Sequence, residues 1–266
     1  MDLELWQWLV AQVAAFGVGL SKTGIAGIGV LNVALFALIF PAKASVGIIL
    51  PILISADVVA VTAYRRHAVW SHLWRLFPWA AGGIVFGYLV LDYLDDQQTA
   101  RIIGLILLGL LGFQAIRNRN LRLREAQRQK ENAGQSTQVV LDEALDVPQG
   151  WWFAALMGIA GGFTTMIGNA AGPILILYLL AMRLPKMEFV GTGAWYFLIL
   201  NCFKVPFSWD LGLVTPQSLA LDLKLIPAAI IGALYGRVLL RKIDQKLFED
   251  LAIGFSVLAA LRLVMS

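Results

Sequence analysis

The sequence predicts an all-α, polytopic membrane protein built from two inverted repeats, each a Gly-rich broken or re-entrant helical hairpin followed by three long helices. Three observations predict it. Of the 266 residues, 59% are hydrophobic and 14% charged, with a mean hydropathy of +0.75; soluble domains carry about 25% charged residues. Two polar, Gly-rich stretches, 17–29 and 161–173, interrupt apolar runs at matching places. An ordered set of residues also recurs: adding 144 takes Gly17 to Gly161, Gly24 to Gly168, Pro41 to Pro185 and Val46-Gly47 to Val190-Gly191. Adding 149 takes Arg75-Leu-Phe-Pro78 to Lys224-Leu-Ile-Pro227, Gly83 to Gly232, Gly87 to Gly236 and Asp95 to Asp244, a change of spacing that a five-residue insertion in a loop accounts for.

The elements follow from the requirement of about 20 apolar residues per spanning helix. The first repeat, 1–116, holds segments 3–20 and 24–40 joined by Ser-Lys-Thr-Gly, then 45–64, 73–91 and 99–116. The second, 150–266, holds 151–165 and 170–184 joined by Thr-Met-Ile-Gly-Asn, then 187–205, 217–240 and 247–264. The paired segments are short. Each pair is either two short crossings or one re-entrant hairpin, and the sequence leaves both open. Polar, helix-breaking sequence at membrane depth is tolerated only inside protein or around a water-filled cavity. A matched pair of such interruptions points to a transporter's binding site.

The linker 117–149 starts basic and ends acidic, and 117–131 has a composition that can continue the preceding helix. Its six basic residues between Arg117 and Lys130 put it in the cytoplasm, as do Arg65, Arg66 and Arg75 for a second loop and Arg241, Lys242 and Lys246 for a third. Asp92, Asp95 and Asp96 then lie outside, although Lys43 argues the other way. On this threading 45–64 and 187–205 run in opposite directions, so the repeats are inverted and both termini fall outside. Asp2 and Glu4 replace the basic start of a leader peptide, so the N-terminal run is expected in the mature chain. Tryptophans including Trp6, Trp8, Trp70, Trp74, Trp151 and Trp152 sit near predicted helix ends as an interfacial belt.

Gly-Leu-Ser-Lys-Thr-Gly-Ile-Ala-Gly-Ile-Gly at 19–29, Phe-Pro-Ala-Lys-Ala-Ser-Val-Gly at 40–47, Ala-Asp57 and Tyr-Arg-Arg-His-Ala-Val-Trp at 64–70 resemble the TauE/SafE family of sulfite and sulfonate exporters. Gly-Asn-Ala-Ala-Gly-Pro at 168–173 and Gly-Thr-Gly-Ala-Trp-Tyr-Phe at 191–197 are similar to it in the second half. The resemblance implies an export-type permease of a bacterial inner membrane for a small sulfur oxyanion, an organosulfonate or a related organic anion. Which anion, the direction of transport and the coupling species, a proton or a cation, stay open, as does a homo-oligomer.

Lys22 is the sharpest candidate for binding an anion, because a lysine at the membrane centre is costly unless hydrated or paired. The helix starting near Gly24 would add backbone N–H groups; the alternative is a lysine snorkelling to the surface. Ser21 and Thr23 either donate hydroxyls to the same anion or cap the following helix. Thr164, Thr165, Gly168 and Asn169 form the matching set in the second half, against a reading as helix–helix hydrogen bonds. Asp57, inside an apolar helix, is the candidate for coupling to a proton or cation, or a static partner of Lys22 or Lys204. Its counterpart is Asn201, and Lys204, three residues on, either helps attract the anion or snorkels.

These features favour a secondary transporter working by alternating access over an anion channel or membrane scaffold. An intramembrane enzyme ranks last, since adjacent Ser21 and Lys22 are poorly placed to act as nucleophile and base. With a single cysteine and two histidines, neither a metal site nor an internal disulfide is expected, and no cofactor. The net charge of +4 sits mainly in loops, where it reports orientation in the bilayer rather than nucleic-acid binding.

Overall fold

The computed structural model describes residues 3–23, 29–131, 150–239, 257–258 and 260–265. The helices are α1 (Leu5–Thr23), α2 (Gly29–Ile39), α3 (Ala42–Tyr64), α4 (Trp70–Tyr93), α5 (Asp96–Glu131), α6 (Trp151–Gly168), α7 (Gly172–Ala181), α8 (Lys186–Asp210) and α9 (Pro216–Leu239), with one 3-10 turn at Arg65–His67. No strand occurs among the described residues. Residues 97–131 do continue as one helix. The rest of the linker, and most of the expected last segment, lie outside the described residues.

Four helical stretches among those residues are long and apolar enough to cross a membrane: Ala42–His67, Trp70–Tyr93, Trp151–Gly168 and Pro216–Gly236. The two second arms are not. At 1.5 Å per residue, the 11 residues of α2 and the 10 of α7 reach about 16 and 15 Å, half of a ~30 Å hydrocarbon core. The first arms, α1 with 19 residues and α6 with 18, extend about 28 and 27 Å. Among the described residues each hairpin thus has one long arm and one of about half its length.

Local chemistry fixes these ends in matching ways. Pro41 and Pro185 precede α3 and α8 with nearly the same backbone (φ −50°, ψ 135° and φ −55°, ψ 149°). Their carbonyls accept the first helical hydrogen bonds, from Ser45 and Phe189, each at 2.8 Å. A proline there fixes φ without costing a helical N–H. At the end of α6 the chain turns through Asn169 in the left-handed conformation, φ 55° and ψ 28°. The Asn169 and Ala170 N–H groups close on the Thr165 and Thr164 carbonyls at 3.0 and 3.2 Å, a cap for otherwise orphaned acceptors.

The long arm of each hairpin packs on a helix of the other half. A methyl placed on Gly19 of α1 would lie 2.0 Å from the Ala229 carbonyl oxygen of α9, and one on Gly232 would lie 2.1 Å from that of Phe16. Between α4 and α6, Gly162 meets the Ala80 oxygen at 2.0 Å and Gly83 that of Ile159 at 2.2 Å. Backbone thus lies on backbone, the close approach that small residues permit where lipid removes the usual hydrophobic drive. Over the full seams the contacts advance together, from Gln12 with Lys224 to Leu20 with Gly236 and from Gly158 with Leu76 to Met166 with Gly87, so α1 and α9 run parallel, as do α4 and α6. In contrast α3 and α8 cross antiparallel, Tyr64 against Gly191 and Asp57 against Asn201. The outward faces carry Leu5, Leu9, Leu89, Leu105, Leu223 and Trp74, all exposed, as expected of a surface turned to lipid.

Candidate functional site

The two hairpin tips meet. A cavity of about 240 Å³ is bordered by Ser21, Lys22 and Thr23 at the end of α1, Gly29 and Val30 at the start of α2, and Asn169 and Gly172 at the second tip. A methyl on Gly29 or Gly172 would stand in open space. The second half-length helix, α7, therefore starts at the cavity, where the free N–H groups and positive dipole end of a helix favour negative charge, and the first described residue of α2 borders it too. Pro173 has no N–H to offer, which leaves Gly172 and Ile174 as the donors at the start of α7.

Lys22 reaches the centre. Its ammonium lies 2.9 Å from Asp57 Oδ1 and 3.9 Å from the centroid of the Phe197 ring. The Lys22 side chain is 10% exposed and that of Asp57 0%, so the snorkelling alternative does not hold. Asp57 Oδ2 accepts from Asn201 Nδ2 at 2.6 Å, across 144 residues of sequence. Asp57 is therefore paired with Lys22, not Lys204.

Lys204 is also fully buried, which removes its snorkelling alternative too. Its ammonium donates to the Thr165 carbonyl at 2.9 Å, more weakly to Thr165 Oγ1 at 3.4 Å, and in a short bond to Asn169 Oδ1. Three donors meet three neutral acceptors. Asn169 in turn donates from Nδ2 to the Val46 carbonyl at 3.1 Å, tying the second tip to α3. Among the described residues, two lysines and one carboxylate make up the network, with Asp57 paired to Lys22.

The hydroxyls expected to donate are committed elsewhere. Ser21 Oγ donates to the Val18 carbonyl at 2.7 Å, Thr23 Oγ1 to that of Ala233 at 2.7 Å, and Thr164 Oγ1 to that of Ala160 at 2.8 Å. A hydroxyl has one proton, so Ser21 and Thr23 border the cavity as acceptors in this state. Gly168 faces Ile103 of α5, 3.2 Å from where a methyl would sit, rather than the cavity. Gly24 lies outside the described residues.

Sequence reasoning passed over three contributors. Asn32 of α2 borders the cavity, is 2% exposed, and has no partner for its Nδ2 among the described residues. It is the one polar residue in an otherwise apolar helix, which was the available clue. Tyr64 donates from its hydroxyl to the Thr23 carbonyl at 3.2 Å and so closes the end of α1. Phe197, which floors Lys22, stands in the 191–197 motif without anything in its spacing to mark it.

The fold and site define a class: a multi-pass helical membrane protein whose two hairpins border a mostly apolar cavity with one lysine, Lys22, on its rim. The family model described as Sulfite exporter TauE/SafE matches residues 11–263, and the chain belongs to that family. Membership makes it a membrane transporter of the sulfite-exporter type, not an enzyme, with a small sulfur-containing anion as the implied cargo. No curated protein and no solved structure matches the chain.

Proposed function

We propose that the protein is a secondary transporter that carries a small anion by alternating access between two inverted halves, with the cavity between the hairpin tips as the substrate site. The observation that carries this reading is the convergence of both tips on one cavity bordered by Lys22. Lys22 is the group that meets the anion, with the helix starts at Gly29 and Gly172 beside it. Lys204, Thr165 and Asn169 hold the second tip in place, and Asp57 with Asn201 is the coupling centre.

The packing supports inversion. Asp57 touches Asn201, its own counterpart in the repeat, and a residue meets its counterpart only close to a symmetry axis. Because α3 and α8 run antiparallel there, that axis lies across the helices rather than along them, the arrangement of inverted-topology transporters. The seams agree: Gly19 on Ala229 matches Gly162 on Ala80, and Phe16 by Gly232 matches Ile159 by Gly83. We place the protein in a bacterial inner membrane with residues 132–138 in the cytoplasm. Labelling of a single cysteine introduced there, in a Cys202→Ala background, would report the side.

The test of function is anion uptake into proteoliposomes driven by an imposed gradient. Saturable uptake that Lys22→Met abolishes, with the variant inserted at wild-type level, is the expected result. Wild-type flux in that variant would remove Lys22 from the site, and flux that does not saturate would make the protein a channel.

A further inference from the structure

Resting on the reading of the protein as a gradient-driven transporter, we infer that Asp222 of α9 is a proton-binding site, apart from the substrate cavity and loaded from the membrane face where α9 begins. Two independent observations lead there. The first is the surroundings of the carboxyl. Asp222 is 1% exposed, and neither of its side-chain oxygens has a hydrogen-bond partner among the described residues. Nor do α1 and α3, the helices packed against α9, bring it a counterion. On α1, Glu4 is exposed and accepts from Trp6 Nε1 at 2.6 Å, while Lys22 pairs with Asp57 of α3. On α3, Lys43 Nζ donates to the Leu94 carbonyl at 3.0 Å, and the Tyr64 hydroxyl to that of Thr23 at 3.2 Å. On α9 itself, the Lys224 ammonium stands over the Trp8 ring, 5.6 Å from its centroid. An ionised Asp222 would be an unpaired charge among hydrocarbon, whereas the neutral acid costs far less to bury. The carboxyl therefore holds a proton in this state.

The second observation is the other half of the chain. The spacing that pairs Gly83 with Gly232 puts Leu73 at the counterpart position of Asp222, and Leu73 is also buried, at 3% exposed. A leucine meets the packing demand there, so the fold does not call for an acid, and an ionisable group inside a membrane helix points to function. Its depth suits exchange with one face. The helices α3 and α9 begin together, Gly47 against Leu213, and end together at Thr23, which donates to Ala233 and accepts from Tyr64. At 1.5 Å per residue, Asp222 lies about 9 Å from the start of α9, and Asp57 about 22 Å from the start of α3. Thr215 and Ser218 cap each other at that start through bonds of 3.0 and 3.1 Å. They share one side of the helix with Asp222 and make a polar step between the membrane face and the acid. On the topology proposed above, that face is the outer one.

The experiment has a spectroscopic and a transport arm, both on the full-length protein. Infrared difference spectra across a pH titration report the C=O stretch of a protonated carboxyl. A band that survives in Asp57→Asn and disappears in Asp222→Asn and Asp222→Leu is the expected result. Asp222→Leu installs the residue of the other half and should unfold at no lower temperature than the wild type, which keeps a folding defect from mimicking the effect. In proteoliposomes, with sulfite as the probe anion, both Asp222 variants should lose accumulation driven by a pH gradient and keep anion-for-anion exchange, which moves no proton. Persistence of the band in Asp222→Leu, or wild-type gradient-driven accumulation in that variant, would overturn the inference. So would loss of exchange in a stably folded Asp222→Leu, because the residue would then serve translocation itself. Wild-type protein that exchanges sulfite but ignores the pH gradient would remove the proton carrier and leave anion transport standing. Wild-type protein that carries no sulfite at all would count against the transporter reading, and the infrared arm, which needs no cargo, would still decide whether Asp222 binds a proton.

Discussion

The two hairpins share a backbone plan but not a charge plan. The first carries its ammonium on its own tip, where Lys22 borders the cavity and pairs with Asp57. The second has no cation of its own and receives one from α8, as Lys204 bonds Thr165 and Asn169 from behind. One amine is poised toward a ligand, and the other is spent on holding backbone and amide oxygens. On the proposed function, two similar hairpins fix where the tips meet while each side specialises: one tip for contact, one for support.

The largest effect should come from breaking the contact side. Lys22→Met strands the Asp57 carboxylate, 0% exposed, with Asn201 as its remaining partner. Removing one member of a buried pair costs about 3–5 kcal/mol, so thermal unfolding should show a clear loss beside the loss of uptake. Adding Asp57→Asn removes the stranded charge. The double variant should regain most of the stability and none of the transport. Recovery of transport would show that the lysine served only to neutralise Asp57. Asp57→Asn by itself should keep exchange of anion for anion and lose accumulation driven by a pH gradient; unchanged gradient dependence would take Asp57 out of coupling.

The support side should respond differently. In Lys204→Met a side chain of similar shape replaces an ammonium bonded only to neutral oxygens. The desolvation cost of the charge disappears while the unpaired acceptors cost about 1–3 kcal/mol, so net stability should move by less than in Lys22→Met. The second tip loses the amine that holds its Thr165 and Asn169 oxygens, and anion affinity should drop by at least about tenfold, or ~1.4 kcal/mol. A stability loss larger than that of Lys22→Met would reverse the assignment of roles.

How legible these roles were in the sequence depended on the range of the interaction. The polar tip at Ser21-Lys22-Thr23 is local, and hydropathy found it; Pro41 and Pro185 were read only as marks of the repeat, with the helices placed from 45 and 187 instead of 42 and 186. The 144-residue spacing linked Asp57 to Asn201 before any contact was known. It could not say that Lys204, on the same side of α8 as Asn201, turns to the second tip instead of to Asp57, because that choice is made by packing between distant segments. Hydropathy also measures apolar length rather than helix length, so it gave 170–184 where the helix proper spans only 10 residues, about two-thirds of that run. The repeat register was off by one within the first arm: Gly17 aligns with Gly161 by eye, but the seams pair Gly19 with Gly162. Glycine-rich sequence offers several near-equivalent alignments, and only the backbone approach selects one.

That register predicts a matched, intermediate effect. Gly19→Ala and Gly162→Ala each force a methyl to within 2.0 Å of a carbonyl oxygen on the facing helix, Ala229 and Ala80 respectively. Backbone cannot yield without parting the helices, so each should cost about 1–3 kcal/mol, measured as thermal stability in one detergent. Gly82→Ala, which meets nothing within 4 Å, is the control and should be neutral or mildly stabilising. Unequal losses at the two seams would argue that the halves are less alike than their contacts.

The smallest effect is expected at Thr164, and it separates the two hairpins most finely. Valine keeps the β-branched shape and loses only the hydroxyl. That hydroxyl donates to the Ala160 carbonyl at 2.8 Å, one turn back in its own helix, and the carbonyl keeps the backbone N–H partner that the helix gives it. Thr164→Val should therefore change stability by less than about 0.5 kcal/mol and leave uptake unaltered. Thr165 differs by one position and one role, since its carbonyl and hydroxyl both face Lys204. Its valine variant loses the weaker of the two bonds and should show a small loss of affinity where Thr164→Val shows none. If Thr164→Val instead impairs uptake, its hydroxyl must leave Ala160 during transport, and the second tip would be a contact surface as well as a support.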